Sequence, residues 1–291
     1  AVHVVDIAKN EYRESYLADI YDAARIVEQM DNIHFFQRPM VARDIPDPAD
    51  LDFNTVYAAI KGTTKHVGVS FTEAEFMKPV FEMLHSVAGG EDKWRARPFV
   101  SNSNCFVVPP LRFATESCLV MEEAVRNGMP VLLLSAGQAG ATAPASIAGA
   151  VAQALSEVIA GLIYVNAMKP GHPCICGTWP FVSDLRTGAM SGGSGEQGLL
   201  TSACAQMLQH YDLPGGAAAG MADAKMPDAQ SGYEKGSTLV MAGLSGLNMV
   251  YEAAGMHASL LGFCLDSLII DNDMLGQCLR CVRGIEVNEE T

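Results

Sequence analysis

The chain has 291 residues, 49% hydrophobic and 18% charged, a balance that supplies one large buried core and excludes a disordered or repetitive polymer. Lys and Arg number 19 against 33 Asp and Glu, a formal net charge of −14 without a basic stripe; such a surface repels phosphate backbones and excludes nucleic acid as a natural partner. A single barrel unit of roughly 250 residues fits the span 1–291.

In chain order, residues 2–7 are too weakly strand-like to count. Short apolar runs ending in Gly, Ser or Asn predict strands at 33–40, 66–71, 99–107, 131–135, 174–178, 213–218 and 247–251. Helical periodicity falls at 16–30, and between the strands at 72–88, 116–127, 145–168, 195–210, 232–243 and 268–283, each of these six with Gly or Pro near an end. This alternation is that of βα units on a parallel sheet. The expected fold class is α/β, a TIM (β/α)8 barrel. Its seven strands are one short of closure, so the chain is expected to be truncated at both ends.

Between Arg126 and Glu157 no charge occurs, long enough for a bilayer span. Pro130, Gly137, Gln138, Gly140, Pro144 and Ser146 divide that stretch into strand, loop and small-residue helix, so no membrane span is expected, and no signal peptide opens the chain. The eight cysteines lie in apolar runs, the pattern of reduced thiols in a cytoplasmic protein. Cys174 and Cys176 share one side of a strand, and Cys278 and Cys281 lie a helical turn apart, but neither pair has the partners of a zinc knuckle; no metal site is expected. The stretch Gly193-Ser-Gly-Glu-Gln-Gly follows a polar loop instead of a strand, so its match to a dinucleotide fingerprint is accidental.

In a barrel, function gathers where the strands end, because the loops beyond them converge on one mouth. The densest polar stretch there is Met221-Ala-Asp-Ala-Lys-Met-Pro-Asp-Ala-Gln-Ser-Gly-Tyr-Glu-Lys. Asp223, Lys225, Asp228, Gln230 and Glu234 are its candidate catalytic residues, since carboxylates beside an ammonium and an amide can orient a charged substrate; the alternative is a solvated loop capped by Asp228. Trp179, Phe181 and Tyr251, with Glu252 and His257 beside them, are candidate substrate-binding residues, because aromatic faces attract ammonium groups that ordinary hydrogen bonds cannot desolvate cheaply; for each ring alone, core packing is the competing explanation. The small-residue loop bearing Gln138, Gly140 and Thr142 permits close approach of something large and flat, or is simply a tight turn before a helix.

Three separated segments, Gly137-Gln-Ala-Gly-Ala-Thr-Ala-Pro, Asp223-Ala-Lys-Met-Pro-Asp-Ala-Gln-Ser-Gly-Tyr-Glu-Lys and Arg283-Gly-Ile-Glu-Val-Asn-Glu-Glu-Thr, resemble the trimethylamine:corrinoid methyltransferase family, in order and spacing over essentially the whole chain. The resemblance implies a TIM barrel that accepts a small methylated amine and the Co(I) corrinoid (cobalamin) of a cognate partner protein, with no cofactor held tightly by the barrel itself. It implies that Gln138, Gly140 and Thr142 face the corrinoid, and that Asp223, Lys225, Gln230 and Glu234 line the mouth. Founding members use pyrrolysine, whereas this chain contains no nonstandard residue; it therefore resembles the relatives that demethylate quaternary amines such as glycine betaine. Homo-oligomerisation is compatible with a barrel of this kind. Two other readings remain: a lyase or isomerase using Lys225 with Asp223 or Asp228 as a Schiff base or proton shuttle, and a noncatalytic amine-binding scaffold.

Overall fold

A computed structural model describes all 291 residues. Seven parallel strands form one curved sheet: β1 (Phe35–Gln37), β2 (His66–Val69), β3 (Val100–Asn104), β4 (Val131–Ser135), β5 (Cys174–Thr178), β6 (Gly215–Ala218) and β7 (Met249–Tyr251). They pair strictly in chain order, so the sheet is a nearly closed barrel. Its strands fall within the seven ranges expected from sequence, with the ends trimmed. The pairing also fixes the register: Thr178 on β5 lies beside Ser135 on β4, and Ala218 on β6 beside Tyr251 on β7.

Helix α1 (Leu17–Glu28) precedes β1. The strands are followed in turn by α2 (Pro48–Gly62), α3 (Met77–Ala88) with its short appendage α4 (Glu91–Ala96), α5 (Thr115–Arg126), α6 (Ile147–Met168), α7 (Gly195–His210), α8 (Ala229–Leu244) and α9 (Leu265–Arg283). Helix α2 was not anticipated from apolar spacing, although its start is legible. Asp47 accepts from the amides of Ala49 and Asp50, and Pro48 occupies the first turn, where its missing N–H costs nothing. The weak strand at 2–7, left uncounted, is the first arm of an antiparallel hairpin (His3–Asp6 with Glu11–Glu14), placed outside the barrel beside Gly262–Phe263.

One continuous core joins the sheet to the helices, from Val4 and Ile20 through Leu133 and Trp179 to Tyr251 and Leu268. Helix α6 is long and apolar enough to cross a membrane by length and composition. Here one face of it, with Val151, Leu155 and Val158, is buried against the barrel. A soft apolar helix in a barrel's outer layer needs only that face covered.

Candidate active site

Alternation along each strand decides which side chains reach the barrel interior. Ser135 donates to Glu157 on α6 at 2.5 Å, and the Asn104 amide donates to the Ser117 carbonyl on α5 at 2.9 Å, so these residues face the helices. Their neighbours face inward. Gln37 leans across Gly68, where a β-carbon would lie only 1.9 Å from its amide oxygen, and accepts a 3.0 Å bond from Ser103. Deeper in the lumen, His66 Nε2 and Ser101 Oγ are 2.9 Å apart. Burial holds this imidazole below its usual pKa, so it is neutral near pH 7.

An aromatic cluster also lies on the inner side of the sheet. Trp179, just past β5, and Tyr251, at the end of β7, have ring centroids 5.1 Å apart, and Phe35 meets Tyr251 edge-on at 5.2 Å. Gly216 makes room for Tyr251, since a β-carbon there would stand 2.8 Å from the ring. Trp179 and Tyr251 are only 6% and 4% exposed. The indole N–H of Trp179 is buried without a partner, and burial pushes the Tyr251 phenol well above its usual range. Buried ring faces beside an unspent donor are chemically suited to a cationic group with a polar tail.

The polar motif after β6 has a different role. Asp223 accepts from Ser191 Oγ at 2.6 Å, from the Gly192 amide at 2.7 Å and from Ser259 Oγ. Glu234 accepts from the amides of Asp223 and Ala224 at 2.7 and 3.2 Å, and from Gln230 at 2.7 Å. Asp228 caps α8 through the Ser231 amide at 2.9 Å. Exposed Lys225 donates to the Asp223 carbonyl at 2.7 Å and receives Tyr12 Oη on its own carbonyl at 2.5 Å. These five residues are brought together, and their polar atoms bind the loops after β5, β6 and β7 to one another.

Gln138 and Phe181 lie opposite each other in a two-residue parallel pairing at the rim, where Ser183 donates to the Gln138 side chain at 2.9 Å and the Thr142 hydroxyl accepts from the Gln138 amide at 2.9 Å. Gly140 is left-handed, and a side chain there would strike Leu185, itself 72% exposed. Phe181 is buried in this rim. Glu252, also left-handed, lies just beyond Tyr251, and burial raises its carboxyl despite nearby Arg38 and the chain amine.

His257 is fully buried. Its Nε2 lies 2.7 Å from Ser267 Oγ and 3.5 Å from Lys235 Nζ, and burial, then the Lys235 charge, depress it to about 3. Lys235 in turn bonds Asp271 at 2.6 Å, and Asp271 also accepts the Gly255 amide at 2.7 Å. Sequence reasoning did not single out Lys235, Asp271, Gln37 or Ser103. A lysine on the buried stripe of α8, between Ser231 and Leu239, is the one signal that could have exposed this pair.

Cys174 and Cys176 share one strand, and burial pushes their thiols up to about 12 and about 11, the behaviour of inert core thiols.

Among solved structures, the hydroxylamine complex of MtmB superposes with a TM-score of 0.62 at 12% identity, over 92% of this chain and 57% of that one. A dihydropteroate synthase from Coxiella burnetii gives 0.54 at 8% identity, over 97% and 99%. These likenesses concern the barrel fold. The trimethylamine methyltransferase MttB of Methanosarcina thermophila is 32% identical over 96% of this chain and 57% of its own length, and that of Desulfitobacterium hafniense 31% identical over 100% and 58%. A glycine betaine methyltransferase of Desulfitobacterium hafniense is 31% identical over 96% and 58%. This chain thus spans less than three-fifths of the length of these curated relatives. The family model for trimethylamine methyltransferase (MTTB) matches residues 1–291, and the chain belongs to that family.

Proposed function

We propose that this chain is the barrel of a methyltransferase that takes a methyl group from a quaternary amine such as glycine betaine and passes it to the Co(I) of a corrinoid carried by a cognate partner protein. The observation that carries this reading is the buried cluster of Trp179, Tyr251 and Phe35. A quaternary ammonium cannot donate hydrogen bonds from its nitrogen, so ring faces are its natural seat, while polar groups of the same lumen, the Gln37 amide and the Ser103 hydroxyl, suit a polar tail. The absence of a nonstandard residue favours such a donor, whose nitrogen is already charged and leaves as a neutral amine. The likeness to a glycine betaine methyltransferase agrees with it.

The rim suits the acceptor in shape. Gly140 leaves the loop after β4 thin, and Leu185 and Leu111, 72% and 69% exposed, offer apolar edges to a flat macrocycle. When presented by its protein, the corrinoid supplies the nucleophile for the methyl carbon. The barrel's own share is positioning and exclusion of water: the aromatic cluster orients the nitrogen, and the loops locked by Asp223 and Glu234 keep the opening in shape. The exposed amine of Lys225 is engaged within its own turn, which argues against a Schiff-base or proton-shuttle lyase.

The test is methylation of a Co(I) corrinoid protein by the full-length enzyme with glycine betaine, carnitine, proline betaine and trimethylamine in parallel. Turnover with one or more quaternary donors is expected. Inactivity with all four, or binding without turnover as a scaffold would show, overturns the reading.

A further inference from the structure

Helix α6 carries a single ionisable side chain, Glu157, and turns it inward, 2% exposed, with no Lys, Arg or His at ion-pair distance. A buried carboxylate without a cation persists only where hydrogen bonds replace its hydration. Its donors come from separate parts of the chain. Oε2 accepts from Ser135 Oγ, at the end of β4, at 2.5 Å, while Oε1 accepts from the Leu111 amide at 2.8 Å and from Gln153 Nε2 at 3.1 Å. Gln153 also donates to the Thr142 carbonyl at 3.0 Å, and the Thr142 hydroxyl holds the Gln138 amide. Glu157 and Gln153 together therefore tie the segment after β3 to the loop after β4, and through Gln138 and Ser183 to the segment after β5.

Leu111 is the part of this arrangement that needs holding. It closes the tip of a hairpin in which Val107–Val108 pairs with Arg112–Phe113, and its φ of 55° is one that a leucine keeps only when its surroundings impose it. The base of the hairpin is packed onto α6: the Phe106 ring occupies the space where a β-carbon on Gly161 would lie, and Phe113 meets it edge-on at 5.2 Å. At the tip, Pro109 and Pro110 have no amide to offer. The Leu111 N–H is the one donor there, and Glu157 takes it.

We propose that Glu157 is a positioning residue for the methyl acceptor: from beneath the rim it fixes the Leu111 tip and the Thr142 loop, and so sets the apolar edge on which the corrinoid-carrying protein docks. The assignment rests on the methyl-transfer reading above. It adds that acceptor affinity is governed by a carboxylate bonded to the rim from below, and that donor affinity is not. No hydrogen bond links Glu157 to the side chain of Trp179 or Tyr251, so the two affinities are separable.

The experiment uses the full-length enzyme with glycine betaine, carnitine or proline betaine as donor and the Co(I) corrinoid protein as acceptor, each titrated to give its own KM. Glu157→Leu keeps the bulk but releases the Leu111 amide. Leu111→Asn keeps that amide and suits the left-handed backbone, but removes the apolar edge. Each should raise the KM for the corrinoid protein by about 10-fold, with the amine KM altered less than about 2-fold. Glu157→Gln still offers an oxygen to Leu111 and can donate to the Ser135 hydroxyl, so it should stay within about 3-fold of the parent. An amine KM rising in step with that for the corrinoid protein, or equal damage from Gln and Leu at position 157, would overturn the assignment. Should Glu157→Leu fail to fold, an unaltered corrinoid-protein KM in Leu111→Asn would overturn it alone. A parent enzyme inactive with every donor would instead strike the methyl-transfer reading, and this inference with it.

Discussion

The aromatic cluster makes a prediction that separates charge recognition from packing. Trp179 is 6% exposed and shares its face with Tyr251, so a cation seated there is desolvated and gains up to about 2 kcal/mol from the indole. At 1.4 kcal/mol per decade, that corresponds to about 30-fold in affinity. Trp179→Leu removes the quadrupole while keeping an apolar side chain, and Trp179→Phe keeps a weaker one. Binding of glycine betaine and of its tert-butyl analogue, in which carbon replaces the charged nitrogen, would be measured by calorimetry on the full-length protein. The ratio of the two dissociation constants matters, because loss of packing weakens both ligands alike. The ratio should fall by about 30-fold in Trp179→Leu and by less in Trp179→Phe. If Trp179→Leu weakens both ligands equally, the ring is only a core residue and the proposed substrate class loses its main support.

Gly216→Ala places a β-carbon 2.8 Å from the Tyr251 ring and 3.0 Å from Ile175; displacement of the ring should cost about 1–3 kcal/mol of stability in urea titration and raise the betaine KM. Glu234→Gln keeps one oxygen for the two backbone amides but gives up the charge and turns an NH2 donor toward the Gln230 amide that the other oxygen accepted, so kcat should fall for every donor by a similar factor, with about 1–3 kcal/mol lost in the same titration. In Lys235→Met, the Asp271 carboxyl, already held above its ordinary range by burial, loses the ammonium that pulls it down. The folded state then retains a proton that the unfolded chain releases, so the variant loses stability as pH rises, by up to about 1.4 kcal/mol per unit above the unfolded carboxylate pKa. Denaturation midpoints at pH 5.5 and 7.5, compared with the parent, check this. A destabilisation independent of pH would mean that Asp271 stays ionised without its partner.

The barrel was legible because seven runs of apolar residues alternate with helical periodicity, and local order in an α/β fold is also spatial order. Helix α2 escaped because its buried face includes Asp52 and Thr55 beside Val56 and Ala59, too polar a stripe to stand out from loop. Trp179 and Tyr251 could be paired in advance since each ends a strand. Gln37, His66, Ser101 and Ser103 could not. A parallel strand is covered on both faces, so its sequence carries no mark of which polar residue turns to the lumen and which to a helix. Ser135 and Ser103 sit on neighbouring strands of the same sheet, and only the fold shows that the first reaches Glu157 and the second Gln37.

The same geometry bears on where the chemistry resides. A general acid or base needs a lone pair or proton that can reach the substrate. Asp223 and Glu234 direct theirs at backbone amides and hydroxyls of adjoining loops, and Asp228 is occupied by the start of α8. The residues that look most like acid–base catalysts in the sequence therefore act on the shape of the opening, while the buried indole N–H of Trp179 has no partner. Such a division suits methyl transfer from a quaternary nitrogen, which requires no proton: the leaving amine departs neutral, and alignment and dryness become the quantities the protein must control. A reaction needing proton transfer would leave the most polar loop of the molecule without a reason to be so completely engaged with itself.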